Sequence, residues 1–167
     1  SNTYTLNGNF GSCVVIENTG ILMNNEMDDF SIKPGHPNMF GLVGNSANAI
    51  EPGKRMLSSM TPTIISKNDS LMMIIGAPGG SKIITTVAQV ISNVIDFRMN
   101  IRQAIEAPRF HHQWLPDVVY LEKNRFNCDT VHKLINKGYH IEDRDIIGYA
   151  QGILVIENGQ TYSGWSD

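Results

Sequence analysis

Only two cysteines, Cys13 and Cys128, occur in 167 residues, and they stand too far apart for any metal-ligand spacing. That excludes a disulfide framework and a cysteine-based zinc site. The expectation is two small, half-buried thiols, able to pair only if the fold brings them together. Charge of one sign is equally scarce. Thirteen Lys and Arg against sixteen Asp and Glu leave a net charge of −3, and no basic run appears. Nucleic-acid binding by counterion release is therefore not expected. No apolar run approaches the roughly 20 residues needed to cross a bilayer, and no stretch has the pattern of a signal peptide. A phosphate loop is missing too. Counted from Gly76, the G-x-x-x-x-G-K-[ST] pattern would need a glycine where Ser81 stands and a Ser or Thr where Ile83 stands. A nucleotide-binding domain is thus a weak alternative.

What the chain does contain is a core. Hydrophobic residues make up 41% and charged residues 17%, a balance that folds rather than stays disordered. The length suits one domain spanning 1–167. Short β-type runs are read at 4–6, 13–16, 20–23, 63–65, 71–75, 118–121, 140–142 and 153–156, with turn signals at 17–20, 67–69 and 157–159. Asn158-Gly159 suits the positive φ of a tight hairpin between 153–156 and 161–162. A helix is predicted over 81–97, with Ile84, Val87, Ile91, Val94 and Ile95 as its inward stripe. Another is predicted over 127–137, capped by Asn127, buried through Val131, Leu134 and Ile135, and ended by Gly138. A short third helix fits 100–107. The long segment 30–56 is rich in Gly, Pro and Asn and nearly aperiodic, which marks a functional loop. The class is α+β.

Four clusters could carry chemistry. Asn24-Asn25-Glu26-Met27-Asp28-Asp29 gathers three carboxylates, enough to attract a cation, but lacks the ligand order of a calcium loop. Ser58-Ser59 offers paired hydroxyls that can bind a carboxylate. Gly76-Ala77-Pro78-Gly79-Gly80 turns sharply into the long helix, so its amides can converge on a phosphate or an oxyanion. His111-His112 would point to opposite faces of an extended chain, so structural hydrogen bonding is expected of them rather than a shared metal. No metal site is expected.

Taken in order, these stretches resemble the small subunit of γ-glutamyltransferases (γ-glutamyltranspeptidases), in the N-terminal-nucleophile hydrolase superfamily. The matching segments are TYTLN at 3–7, GILMNNEMDDF at 20–30, KRMLSSMTPT at 54–63, GAPGGSKIITT at 76–86 and EAPRFHHQWLPD at 106–117. The resemblance implies a four-layer αββα fold. It implies a precursor that cleaves itself into two subunits and exposes an N-terminal Thr nucleophile. The chemistry implied is transfer or hydrolysis of γ-glutamyl amides such as glutathione, through an acyl-enzyme resolved by an amino acid, a peptide or water, with no cofactor. Thr5 and Asn7 would bond the nucleophile and substrate. Glu26 and Asp29 would hold the donor's α-ammonium, Ser58 and Ser59 its α-carboxylate, and Gly79 and Gly80 the oxyanion. Phe40 would wall the pocket as part of a lid, without the hydroxyl that a Tyr would offer Asn7. Retention of Asp29 places γ-glutamyl substrates ahead of the ammonium-free ones of cephalosporin-acylase-type relatives.

The resemblance also implies something missing. The family's Thr-Thr-His motif, whose first Thr is the nucleophile, does not occur in these residues, and Thr3 lacks its context. The chain is therefore expected to be most of the small subunit, without its nucleophile strand and C-terminal end, inactive alone and partnered by the large subunit. Uncovered apolar surface makes self-association an expectation. A non-catalytic interaction domain of the same fold is the alternative. By resemblance alone, the location is periplasmic, secreted or at the cell surface.

Overall fold

The computed structural model describes residues 6–156 and 159–167. Thr5, most of the run at 4–6, and the Glu157-Asn158 part of the predicted turn lie outside the described residues. The chain divides into two compact units, 1–60 and 61–167.

The first unit is mostly irregular. Two 3-10 turns, Glu26–Asp29 and Ser46–Asn48, carry its only helical geometry among the described residues. The strands predicted at 13–16 and 20–23 do not form as strands: the chain doubles back there around one bridge, Val15 to Leu22, flanked by the backbone bonds Ile16 N to Ile21 O at 2.9 Å and Met23 N to Val14 O at 2.8 Å. Local side-chain bonding competes with a ladder. Thr19 Oγ1 donates to Ile16 O at 2.8 Å and accepts from Ile21 N at 3.1 Å. Cys13 and Asn18 take positive φ. Val14, Val15 and Ile16 are exposed, and a two-stranded ribbon of this kind is marginal by itself. Segment 30–56 is organised instead by asparagines: Asn38 Oδ1 accepts from the amides of Phe40 and Leu42, both at 3.0 Å.

The second unit holds the main core. Strands β1 (Thr63–Lys67), β2 (Ser70–Gly76), β6 (Gln151–Ile156) and β7 (Thr161–Ser166) form one antiparallel sheet in the order β1-β2-β6-β7. Helices α1 (Ile83–Ile95) and α2 (Ile101–Glu106) supply its covering core residues. Met73 and Ile75 of β2 meet Val87, Val90 and Val94 of α1 and Ile101, Ala104 and Ile105 of α2. The β1–β2 reversal uses Asn68 and Asp69 at positive φ, as a tight hairpin demands. Gly152 permits close packing of α2: a Cβ there would lie 2.8 Å from Ile101 Cδ1. The sheet's alternate residues Ile64, Ile74 and Ile153, paired across three strands, remain exposed.

A second sheet contains β3 (Phe110–His111), β4 (Val119–Glu122) and β5 (Ile141–Arg144). The β4–β5 pair is parallel, with α3 (Cys128–Asn136) as its crossover. The sequence showed β4 and β5 but not β3, whose two residues are too short to show alternation.

Two helical readings need correction. The buried stripe of α1 is Thr86, Val87, Val90 and Val94; Ile84 is exposed and Ile91 only half-buried. Its first turn is the 3-10 segment Gly80–Lys82, and the inward face is turned toward Thr86, where Gly148 packs. Helix α3 is capped by Asn127 as predicted, its side chain accepting from Thr130 N at 2.7 Å. However, α3 buries no residue fully, and Ile135 is exposed. Helix α2 has a complete capping box between Asn100 and Gln103. Cys13 and Cys128 are free thiols, and both are exposed rather than half-buried.

Candidate active site

In the first unit the acidic cluster folds because Asn24 Oδ1 accepts from Glu26 N at 3.1 Å, starting a 3-10 turn. Three residues per turn put positions i and i+3 on one edge. Glu26 and Asp29 are therefore buried together, at 2% and 7% exposure, while Met27 is exposed. This selects two of the three carboxylates. Their oxygens are aimed by neutral donors. Asn7 N donates to Glu26 Oε1 at 3.2 Å, Asn7 Nδ2 to Asp29 Oδ1 at 3.1 Å, and Ser59 Oγ to Asp29 Oδ2 at 2.9 Å. Two like charges fixed on one turn make a point that favours a cation able to donate several hydrogen bonds, as an ammonium does.

The structure thus brings together Asn7, Glu26, Asp29 and Ser59, which lie apart in sequence. Ser58 is exposed, and its hydroxyl accepts from Met60 N at 3.4 Å. A hydroxyl has one proton. Ser59 gives its proton to Asp29, whereas the proton of Ser58 is directed to no acceptor among the described bonds. Ser58 is accordingly the better placed of the two to donate to an anion. Phe40 is half-buried, and the preceding amide, Met39 N, donates to Asp28 Oδ2 at 3.0 Å, tying the Phe40 loop to the carboxylate turn.

Sequence reasoning passes over Asn48, which scaffolds this site. Asn48 Nδ2 donates to Asp29 O at 2.7 Å and its Oδ1 accepts from Leu57 N at 3.1 Å, joining the carboxylate turn to the approach to the serines. The only signal is an Asn within the long loop. Asp28 is likewise visible only as part of the acidic run.

In the second unit β2 ends at Gly76, and the chain turns through Gly79 at φ 142° and Gly80 at φ 58° before entering the 3-10 turn ahead of α1. Only glycine takes such angles without strain. Among the described hydrogen bonds, neither the Gly79 nor the Gly80 amide serves a protein acceptor, and helix α1 follows directly. Two amides at a helix start suit a developing oxyanion.

The histidines are structural, as expected. His111 is buried, with Nδ1 2.8 Å from Thr85 Oγ1 and Nε2 2.8 Å from Gln113 Oε1. Burial above all holds its pKa below 6.5; the Gln113 bond opposes this, and the charges of Lys82 and His112 add to it. His112 pairs instead with Asp117 at 2.9 Å. No cluster of three or more metal-ligating side chains exists among the described residues. A cleft of about 210 Å³ beside Cys128 and His132 touches none of the candidate residues.

Mixed sheets and helices in this arrangement define an α+β domain of the N-terminal-nucleophile hydrolase fold. The chain belongs to the γ-glutamyltranspeptidase family, whose sequence profile matches residues 1–167. It is 52% identical over 165 residues to the Escherichia coli glutathione hydrolase proenzyme, covering 99% of this chain and 28% of that protein. The Pseudomonas aeruginosa glutathione hydrolase proenzyme is 50% identical over 146 residues, covering 86% and 26%. In three dimensions it matches the crystal structure of a Helicobacter pylori γ-glutamyltranspeptidase mutant with a TM-score of 0.92 and 51% identity, over 99% of this chain and 89% of that one. The chain therefore spans about a quarter of the length of the curated relatives it matches. The α+β, N-terminal-nucleophile hydrolase fold expected from the sequence is the fold found.

Proposed function

We propose that the protein containing this chain transfers or hydrolyses γ-glutamyl groups of glutathione and related amides through an acyl-enzyme. The observation that carries the reading is the turn Glu26–Asp29, which buries two carboxylates on one edge and aims them through Asn7 and Ser59. A γ-glutamyl donor presents an α-ammonium and an α-carboxylate at the end remote from its scissile amide. Glu26 and Asp29 would hold the first, Ser58, with Ser59 beside it, the second. In the second unit the amides of Gly79 and Gly80 would stabilise the tetrahedral oxyanion. The attacking group would be a Thr freed by self-cleavage of a precursor, consistent with the proenzyme names of the relatives. Acylation expels the amine half of the donor, and water or an amino-acid amine then resolves the acyl-enzyme.

A large subunit from the same precursor would be the partner, and the exposed isoleucines of β1, β2 and β6 give apolar surface for such an association. Residence in the periplasm, in the medium or on the cell surface belongs to the same proposal and rests on the family alone.

The test is release of p-nitroaniline from γ-glutamyl-p-nitroanilide by the full-length gene product and by the 167-residue chain alone. The full-length protein is expected to turn over and the chain to match the blank. A full-length, self-cleaved protein with no turnover would instead support a non-catalytic domain of the same fold.

A further inference from the structure

Two buried ionisable groups in the second unit, Arg109 and Glu122, and the partly buried side chain of Asp167 have no part in the site above. Arg109 is 2% exposed and forks onto Asp167, Nη1 to Oδ2 at 2.8 Å and Nη2 to Oδ1 at 3.1 Å. Its Nε lies 3.4 Å from Oε1 of Glu122, also 2% exposed, as an ion pair without hydrogen-bond alignment. Burying charges such as those of Arg109 and Glu122 is costly unless each is satisfied. Glu122 Oε2 also accepts from Arg109 N at 3.1 Å and pairs with Arg125 at 3.3 Å, and each carboxylate has in addition a partner on one shared segment. Glu122 Oε1 accepts from Ile147 N at 3.1 Å, and Asp167 Oδ2 accepts from Ala150 N at 2.7 Å. The two acids clamp both ends of the strap 147–150, with Arg109 bridging them.

Gly148 stands in the middle of that strap at φ 72°. A Cβ at Gly148 would lie 2.2 Å from Thr86 Oγ1, and one at Gly79 would lie 3.5 Å from Gly148 Cα. The strap's backbone is therefore fitted between the side chain of Thr86 on α1 and the backbone of Gly79. We infer that Gly148, held by Glu122, Arg109 and Asp167, is a positioning residue for the amides of Gly79 and Gly80. This rests on the oxyanion role proposed for those glycines. A side chain at 148 cannot enter the space of Thr86 and cannot slide along a strap pinned at both ends. Its displacement falls on the Gly79 turn.

The experiment uses the mature enzyme from the full-length gene, with active sites counted by the acyl-enzyme burst. Gly79→Ala serves as reference for the oxyanion turn. Gly148→Ala and Asp167→Asn are expected to lower kcat about ten- to a hundredfold with the donor KM unchanged, since a misplaced donor affects the transition state and not ground-state binding. Gly148→Ala combined with Thr86→Ala is expected to regain part of that kcat, because the clash is removed. Thermal melting is followed for each. The inference is overturned if Gly79→Ala collapses kcat while both strap variants keep it. A kcat loss that disappears well below each variant's melting temperature would overturn it equally. If Gly79→Ala itself leaves kcat intact, the oxyanion role of the turn is what fails.

Discussion

Replacing Asp29 by Asn in the full-length protein isolates the charge of the carboxylate turn from its shape. One amide oxygen can still accept from Asn7 Nδ2, as Oδ1 now does at 3.1 Å, and the amide nitrogen then faces Ser59 Oγ, now 2.9 Å from Oδ2. A serine hydroxyl rotates to accept as readily as it donates. These two bonds therefore survive, and melting should move by no more than a few degrees. What is lost is half of the paired charge facing an ammonium. Removing one member of a buried charged hydrogen bond costs roughly 2–5 kcal/mol, and 1.4 kcal/mol is about tenfold. With Glu26 still in place the lower half applies. About 3 kcal/mol then lowers kcat/KM for a γ-glutamyl anilide roughly a hundredfold. The glutaryl anilide, which lacks the ammonium, should lose almost nothing. The assay is kcat/KM for both substrates with both proteins, and the quantity is the ratio of ratios. A γ-glutamyl to glutaryl preference identical in parent and variant would refute the reasoning, because Asp29 would then not read the ammonium.

Three further outcomes follow from other parts of the fold. Burial keeps His111 neutral below its ordinary pKa of 6.5, so the unfolded state binds the proton first as pH falls. Its contribution is complete above 6.5 and is lost as pH falls toward the lowered folded value; urea midpoints that do not decline with acidity any more steeply than those of His111→Gln would contradict this. Asn100→Ala removes the capping box of α2, in which Asn100 Oδ1 accepts from Gln103 N at 2.9 Å. It should cost about 1 kcal/mol in chemical denaturation; an unchanged midpoint would show that the cap does not matter there. Arg102→Ala takes away a guanidinium 4.4 Å from the Trp165 ring centroid, together with an exposed pair to Glu106. A loss of about 0.5–1 kcal/mol and altered tryptophan emission are expected; emission identical to the parent's would place the guanidinium off the ring in solution.

The second unit is legible where burial imposes a period. Met73 and Ile75 alternate on β2, Val87 and Val94 repeat with the helical period on α1, and both patterns are readable because one face of each element meets the core. Reading fails where a neighbour distant in sequence decides the face. Thr86 is buried because Gly148 packs on it, and no property of a threonine within an apolar helix announces a glycine so far along the chain. The first unit shows the opposite case. Its strands are overpredicted, since Val14, Val15 and Ile16 have β propensity but stand exposed, and β propensity is realised by packing. Its candidate binding residues are legible through resemblance, but their selection is not. Only the 3-10 spacing explains why Glu26 and Asp29, rather than Asp28, are buried on one edge. Asp28 is left for a different task, holding the amide of Met39 beside Phe40. Neighbouring acids in sequence thus become two functions in space. The glycines divide in the same way: Gly79 and Gly80 make the sharp turn into α1, while Gly148 is a glycine because its positive φ and the side chain of Thr86 leave no room for a Cβ.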